Sequence, residues 1–463
     1  MVTHFLRRAT HPWIFLLPLL LSACANAGTE PGPESIAATQ AAAPASFEQS
    51  ADDAYAYALP LFELAAARKA AFDTLVQQPN VFTHRRMLSN AQSRTVTTPN
   101  ADTLYSSAWL LLTEAPLQID IPASGARYFS LALMDFYSNN IDVLGTRRDG
   151  GVAKRFWIAP PGWQGSVPAG VELIRSPTRS LWALGRTYVR DQADLPAAWA
   201  VQNQLHIAAV DGGKSVSPPA SVSQTVPGLT DWEGFFDYAD WLLAECPLPA
   251  ASAALTRLGL GTGHFDAAAF SASEREALAA GAQRAYQRAS SGSLGGTPEQ
   301  GWVYPKPGLG DFGSDYGYRA TVALVGLGAL PLKEAVYVFG AGDTATPQRY
   351  DGNQDYTLRF PSGQLPPARA FWSVTLYQPE ANGNLFFYDN EQKRYAIGDR
   401  TPDLVYGSDG SLTLHVGHRD PGGQASANWL PAPAGPFALV LRAYLPDASL
   451  VDGRYRLPAV LPQ

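Results

Sequence analysis

Cysteine, methionine and charged residues are scarce in this chain of 463 amino acids. It contains 2 Cys, 3 Met and only 16% charged residues, whereas about a quarter of an average soluble protein is charged. Its 34 Lys and Arg against 41 Asp and Glu leave a net charge of −7. A chain-wide basic surface for nucleic acid is therefore excluded. Two cysteines, Cys24 and Cys246, also cannot build a disulfide framework.

The signatures of several common catalytic sites are missing as well. The chain has no Gly-x-Ser-x-Gly nucleophile turn and no His-Glu-x-x-His zinc motif. The Gly-Lys-Ser triplet at residues 213–215 lacks the first glycine of a phosphate-binding loop, because that position is Ala208. His415 and His418 are three residues apart, which places their side chains on opposite faces of a strand. We therefore predict neither a metal nor a cofactor.

The first 23 residues resemble a bacterial lipoprotein signal peptide. Two arginines precede an apolar stretch at residues 13–21, which is too short to cross a bilayer. The sequence Leu21-Ser22-Ala23-Cys24 resembles a lipobox, which implies cleavage before Cys24, its lipidation and, with Ala25 next, sorting to the outer membrane. Because no later run of 18 apolar residues exists, we expect the lipid on Cys24 to hold a periplasmic body at the membrane.

The amino-acid composition and the pattern of apolar residues divide the remainder of the chain into four regions. We predict a flexible, Ala- and Pro-rich tether at residues 24–50, a helix and a β-sandwich at 51–190, a mainly helical segment at 191–331, and a second β-sandwich at 332–463. The predicted fold is therefore mainly β with a helical segment.

Apolar runs and their flanking residues locate the individual elements. Short runs separated by Pro, Gly, Asn and Asp predict strands at residues 104–112, 117–121, 127–134, 156–158, 371–377, 411–416 and 437–444. Helix-forming stretches predict helices at residues 52–76, 232–245, 271–288 and 318–330. Ser271 and Glu274 have the spacing of a capping box at the start of the third of these helices.

Polar residues that precede the strand at 104–112 form the first candidate site. Asn100 is a candidate ligand-binding residue, and Asp102 and Tyr105 are candidates for catalytic acid–base groups at the rim of a cleft. The alternative is structural, because Asn and Asp side chains also cap backbone N–H groups at turns.

Arginines in the following segments are candidates for holding an anion. Arg127 and Asp135 end one face of the strand at 127–135, but about 27 Å separates them, so they cannot pair with each other. The polar residues 139–150 are interpreted as a loop that includes Arg147, the second candidate. Farther along the chain, the candidates are Tyr316, Arg319 and Arg442. The alternative for Arg442 is a buried guanidinium that is satisfied by loop carbonyls.

These segments together resemble two bacterial families of envelope proteins. Residues 99–106, 127–135 and 145–147 resemble domain of unknown function 1254. Domain of unknown function 1214 is resembled by residues 371–375, Asn390, 394–395, 409–410, 428–431 and Arg442. The resemblance implies an Ig-like β-sandwich, a helical segment and a C-terminal jelly-roll-like sandwich. It implies no reaction, and so it assigns no catalytic residue.

Two functions are compatible with the sequence. The first is a lipoprotein that binds a small molecule or a glycan in a cleft between its two β domains, as the 11 Trp, 20 Tyr and 20 Phe suggest. The second is a hydrolase or lyase that uses carboxylate and tyrosine acid–base chemistry without a metal or a recognisable nucleophile. An enclosed site where Asp102, Tyr105 and an arginine converge would favour the enzyme.

Overall fold

The computed structural model describes residues 46–210, 212, 216–247, 253–263, 265–296, 298–342 and 349–463. The predicted signal peptide, Cys24 and most of the predicted tether lie outside these ranges. Within them, no helix is long and apolar enough to cross a membrane. About 27% of the structure is helix and 28% is strand, in several sheets, so the prediction of a mainly β fold with a helical part holds in broad terms.

The helices predicted at residues 232–245 and 271–288 match the structure to within two residues, whereas the helix predicted at 52–76 begins earlier, at Phe47 within the predicted tether, and ends at Asp73. In chain order they are α1 (Phe47–Asp73), α2 (Thr146–Asp149), α3 (Leu195–Gln202), α4 (Trp232–Glu245), α5 (Ala253–Arg257), α6 (Ala272–Ser290), α7 (Tyr316–Val325) and α8 (Ala448–Val451). The capping box of Ser271 and Glu274 is present at the start of α6. Helix α7 ends at Val325, with Gly326 as its C-cap, and is shorter than predicted, because glycine is a poor helix former.

The N-terminal strands form two sheets. They are β1 (Thr83–His84), β2 (Thr103–Leu111), β3 (Leu117–Ile121), β4 (Phe129–Asp135), β5 (Asn140–Gly145), β6 (Lys154–Ala159), β7 (Val171–Arg175), β8 (Ser180–Tyr188) and β9 (His206–Ala209). Sheet 1 has the order β1-β2-β8-β4-β5, and sheet 2 has the order β7-β6-β3-β9. Apolar side chains of both sheets, including Leu110, Ile119, Leu131 and Phe156, share one buried cluster.

The C-terminal strands form two further sheets. They are β10 (Trp302–Val303), β11 (Ala335–Gly340), β12 (Tyr350–Asp351), β13 (Tyr356–Phe360), β14 (Ala368–Pro379), β15 (Leu385–Phe386), β16 (Ala396–Gly398), β17 (Leu412–Gly417), β18 (Trp429–Pro431), β19 (Pro436–Pro446) and β20 (Val460–Pro462). Sheet 3 has the order β10-β11-β19-β14-β15, with β12 on β19 and β16 on β14, and sheet 4 has the order β18-β17-β13-β20. Leu358, Leu414 and Leu441 belong to the apolar cluster that these two sheets share.

Sheet 1 is covered on its second face as well, which explains why β4 is buried along its whole length. Helices α1, α4 and α6 pack around Trp109, Phe136 and Tyr137 at one part of this face. At another part, Tyr128 and Leu184 of the N-terminal region pack against Phe371 and Tyr444 of sheet 3. The second faces of sheets 1 and 3 therefore meet, and the polar side chains on these faces become buried between them.

Candidate functional site

Strand register brings the polar residues of sheets 1 and 3 together. Side chains alternate along a strand, and directly paired residues point to the same face. In sheet 1, Tyr105 of β2 pairs with Arg186 of β8. In sheet 3, Arg442 of β19 lies between Tyr337 of β11 and Ser373 of β14. The two faces are in contact, because the rings of Tyr128 and Tyr444 are 5.1 Å apart between their centres.

We call the buried and half-buried polar residues at this contact the polar centre. It consists of Asn100, Asp102, Tyr105, Arg186, Tyr337, Ser373, Arg442 and Tyr444. Asp102, Tyr105 and Tyr337 are partly exposed, whereas the other members are buried. The predicted residues Asn100, Asp102, Tyr105 and Arg442 thus lie together between the two β regions.

A turn and a hydrogen-bond chain position the first candidate residues. The Asn100 Oδ1 accepts a hydrogen bond from the Asp102 backbone N–H at 2.6 Å, as an Asx turn requires. The Asn100 Nδ2 donates to the Tyr444 hydroxyl at 2.6 Å, and that hydroxyl is 3.0 Å from the hydroxyl of Tyr337. Asn100 therefore has the structural role considered above, and it also connects the turn to sheet 3.

Asp102 contacts the opposite sheet through its carboxylate. The Ser373 hydroxyl donates to Asp102 Oδ2 at 2.7 Å. Burial raises the pKa of Asp102, and the positive charge of Arg442 and the Ser373 hydrogen bond offset only part of this rise. A carboxyl group in this state can hold a proton more readily than an exposed one.

The two arginines of the polar centre differ in how many of their guanidinium N–H groups have hydrogen-bond partners. Arg442 is 3% exposed and donates to Thr375 Oγ1 at 2.9 Å and to the Thr98 carbonyl at 3.2 Å. Arg186 is 5% exposed and donates through Nη2 to the Gly328 carbonyl at 2.9 Å. Among the described residues, both Nε and Nη1 of Arg186 have no hydrogen-bond partner, whereas Arg442 lacks a partner at Nε alone. Buried polar atoms are rarely left in this condition.

Each of the two guanidinium groups lies close to at least one tyrosine ring. The guanidinium carbon of Arg186 is 5.4 Å from the centre of the Tyr105 ring. That of Arg442 is 5.2 Å from Tyr337 and 5.6 Å from Tyr377. These distances allow cation–π attraction. Burial also raises the pKa values of Tyr337 and Tyr444, so both remain neutral hydroxyl groups at physiological pH.

An ion pair next to the polar centre joins the two β regions. Arg147 Nε donates to Glu334 Oε2 at 2.6 Å, and the Tyr128 hydroxyl donates to Glu334 Oε1 at 2.9 Å. Glu334 precedes β11 and is 1% exposed. Arg147, a predicted ligand-binding residue, thus has a carboxylate partner from within the chain.

Arg127 lies outside the polar centre. Its guanidinium binds both carboxylate oxygens of Asp194, at 2.7 and 2.6 Å, and donates to the Tyr188 carbonyl. It precedes β4 and does not pair with Asp135, as predicted. Asp135 instead accepts hydrogen bonds from Asn139.

Tyr316 and Arg319 belong to a separate aromatic cluster on α7. The guanidinium carbon of Arg319 is 4.8 Å from the Tyr316 ring, 5.2 Å from the Tyr57 ring and 5.3 Å from the Tyr137 ring. Burial lowers the pKa of Arg319, although Asp135 partly offsets this effect. The structure therefore does not bring these two candidates into contact with Asp102 or Tyr105 through any described hydrogen bond or ring contact.

Sequence reasoning missed four residues of the polar centre, namely Arg186, Tyr337, Ser373 and Tyr444. Each lies within a strand where its neighbours in sequence are mostly buried, so local pattern marks it only as part of a sheet. For the first three, the available signal was the cross-strand pairing with Tyr105 or Arg442, which depends on register. For Tyr444 it was the position two residues after Arg442, on the same face of the strand.

Two surface hollows occur elsewhere on the molecule. One is lined by Trp232, Glu233, Arg275 and neighbouring residues, and the other by Tyr406, His415, Asn428 and neighbouring residues. Neither includes a residue of the polar centre. Within the described ranges, no group of three or more His, Cys, Asp or Glu side chains is arranged to hold a metal ion.

Comparisons with known proteins agree with the predicted resemblance. Residues 79–209 match the family described as "Protein of unknown function (DUF1254)", and residues 334–448 match "Protein of unknown function (DUF1214)", which confirms both resemblances. No curated protein matches the chain.

Solved structures are similar to this chain over most of its length. The crystal structure of the VPA0106 protein from Vibrio parahaemolyticus is similar over 90% of this chain and 100% of its own, with a TM-score of 0.71 and 23% identity. A putative uncharacterized protein from Burkholderia cenocepacia covers 90% of this chain and 93% of its own, with a TM-score of 0.44 and 12% identity. The first similarity shows a shared fold.

Proposed function

For a chain in which a DUF1254 region is followed by a DUF1214 region, we propose that the polar centre binds a small molecule or a glycan between the two β regions. One observation carries this proposal: the buried Arg186 has two guanidinium nitrogens without a partner among the described residues. Maintaining such a group costs stability. A ligand that accepts hydrogen bonds from these two nitrogens would explain why the protein retains a residue that lowers its stability.

The surroundings of Arg186 support the same proposal. Tyr105, Tyr337 and Phe339 are partly exposed, so aromatic surface is available at the edge of the contact. Tyrosine rings offer apolar area together with a hydroxyl, and ligand sites often combine these properties at domain interfaces.

The experiment is a thermal-shift screen of the full-length protein, purified in detergent, against small molecules and short glycans. A ligand of the polar centre raises the melting temperature of the wild type. In Tyr337→Ala, the same ligand should raise the melting temperature by less than half as much. The matched control is Tyr406→Ala, because Tyr406 is 46% exposed and lies outside the polar centre. Hits that shift both variants as strongly as the wild type would place binding elsewhere.

The location and finer architecture belong to the same proposal. The chain is lipidated at Cys24 and held at the outer membrane on the periplasmic side, with sheets 1 and 2 as an Ig-like sandwich and sheets 3 and 4 as a jelly-roll-like sandwich. The lipobox-like residues 21–24 support the anchor. Cell fractionation tests it: wild type should enter the outer-membrane fraction, whereas Cys24→Ser should not, and equal distribution would refute the anchor.

An enzyme is the second candidate, and Asp102 is the observation that favours it. This partly exposed carboxyl group has a raised pKa and lies 2.7 Å from the Ser373 hydroxyl. Acid–base catalysis uses carboxyl groups with such shifted pKa values. Any compound that binds should be incubated with wild type and Asp102→Asn. Turnover by the wild type but not by Asp102→Asn would establish an enzyme. If both proteins bind the compound and neither converts it, the protein is a binding protein.

A further inference from the structure

The charges between sheets 1 and 3 do not balance. Three arginines lie there, Arg147, Arg186 and Arg442, with two carboxyl groups, Asp102 and Glu334. Burial raises the pKa of Glu334, and the positive charge of Arg186 offsets only part of this rise. Both Glu334 oxygens accept hydrogen bonds from other groups, Arg147 and Tyr128. Asp102 faces Arg442. At the edge, Asp399 and Arg400 compensate each other at 4.0 Å. With both carboxyl groups ionised, the three arginines leave one positive charge without an acidic partner.

The excess charge belongs to Arg186. Its single described hydrogen bond goes to a neutral carbonyl, that of Gly328. The fully buried Arg68 gives a comparison within the same chain, because it binds both oxygens of Glu245 as well as two serine hydroxyls. A guanidinium stays charged at every physiological pH. Arg186 therefore lies buried between sheets 1 and 3 without a bound carboxylate, whereas Arg68 has one.

We propose that the ligand of the polar centre carries a carboxylate, which Arg186 binds. This inference rests on the proposed function and names the chemical class of its ligand. A carboxylate brings one negative charge, equal to the excess, and accepts charge-assisted hydrogen bonds from guanidinium N–H groups. A phosphate monoester, with a charge of about −1.5 to −2 at neutral pH, exceeds it. The carboxylate belongs to a small organic acid or to a uronic acid of a glycan.

The test is calorimetric titration of the full-length protein in detergent with matched pairs of probes. The pairs are galacturonate with galactose, benzoate with benzamide, and lactate with lactamide, and inorganic phosphate is added as a further anion. We expect at least one acid to bind at least tenfold more tightly than its neutral partner. Galacturonate as the preferred acid would identify a uronic acid as the source, and benzoate or lactate a small organic acid.

Two substitutions test whether Arg186 is the residue that binds the acid. Arg186→Gln should weaken binding of the acid at least tenfold, whereas Arg127→Gln should leave it unchanged, because Arg127 is paired with Asp194 outside the polar centre. The carboxylate assignment is overturned if no acid binds, if phosphate binds more tightly than every acid, or if Arg186→Gln binds as the wild type does. Neutral ligands that bind and are lost in Tyr337→Ala would overturn the carboxylate but keep the proposed function.

Discussion

Arg186 of β8 and Tyr105 of β2 are direct cross-strand partners, and the guanidinium carbon lies 5.4 Å from the centre of the tyrosine ring. Tyr105 was recognisable from its polar neighbours in the sequence, whereas Arg186 lies 81 residues farther along the chain. Their pairing places a charged group and an aromatic group at the contact of sheets 1 and 3. It makes this contact the part of the molecule where function is most readily tested.

Removing the acid that joins the two β regions should destabilise the protein. Glu334→Gln weakens the ion pair with Arg147 and leaves a buried amide in its place. We expect the free energy of unfolding to fall by about 2–4 kcal/mol, since breaking a buried pair is costly and Arg147 keeps some contact with solvent. Urea denaturation measures this. Asp409→Asn, which breaks an exposed pair with Arg359, should have nearly no effect, and equal losses in the two variants would contradict the prediction.

Stability should depend on pH through His84. Burial, together with the nearby Arg86 cation, lowers the pKa of His84 to about 4, and the unfolded value is about 6.5. The unfolded state therefore binds more protons between these values, so the stabilising effect of neutral His84 is complete above pH 6.5 and is lost as the pH falls toward 4.

The change at His84 is measurable by urea denaturation at pH 7 and pH 4.5. His84→Gln should lose less stability between these two pH values than the wild type, by about 1–2 kcal/mol after allowance for partial exposure. His206→Gln is the control, because His206 is exposed on β9. A His84→Gln profile parallel to that of the wild type would show that His84 does not contribute.

Gly145 is required by a close approach of two strands. Its φ is 116°, and a Cβ there would lie 2.3 Å from the Phe129 carbonyl oxygen. Gly145→Ala should lower the free energy of unfolding by about 2–4 kcal/mol, because it combines overpacking with backbone strain. Gly150→Ala is the control, since φ is 68° but nothing lies within 4 Å, and its cost should be about 1 kcal/mol. Similar thermal denaturation of the two variants would contradict this account.

Much of the secondary structure could be predicted because its signals are local. Helix α4 has the predicted bounds, Trp232–Glu245, and the capping box of α6 was visible in Ser271 and Glu274. The predicted loop at residues 139–150 is instead β5 followed by α2. The polar residues of this segment obscured the strand, whose Val143 and Leu144 are buried by other elements.

The candidate site could be predicted only in part. Asn100 and Asp102 were recognisable as a polar turn before a strand, and Arg442 as a charge within an apolar one. The partners of Arg127 and Arg147 are 67 and 187 residues away, at Asp194 and Glu334. Such pairs depend on tertiary contacts, so the sequence could not show that these arginines already have carboxylate partners.

The most direct test of the account is the ligand-free stability of Arg186→Met. If Arg186 is retained for a ligand, its replacement by an apolar side chain removes an uncompensated buried charge, and the melting temperature should stay the same or rise. Arg68→Met is the matched control, because it breaks the buried pair with Glu245 and should cost about 3–5 kcal/mol. Thermal denaturation of both variants decides the question: a loss in Arg186→Met as large as that in Arg68→Met would contradict the account and make Arg186 a structural residue.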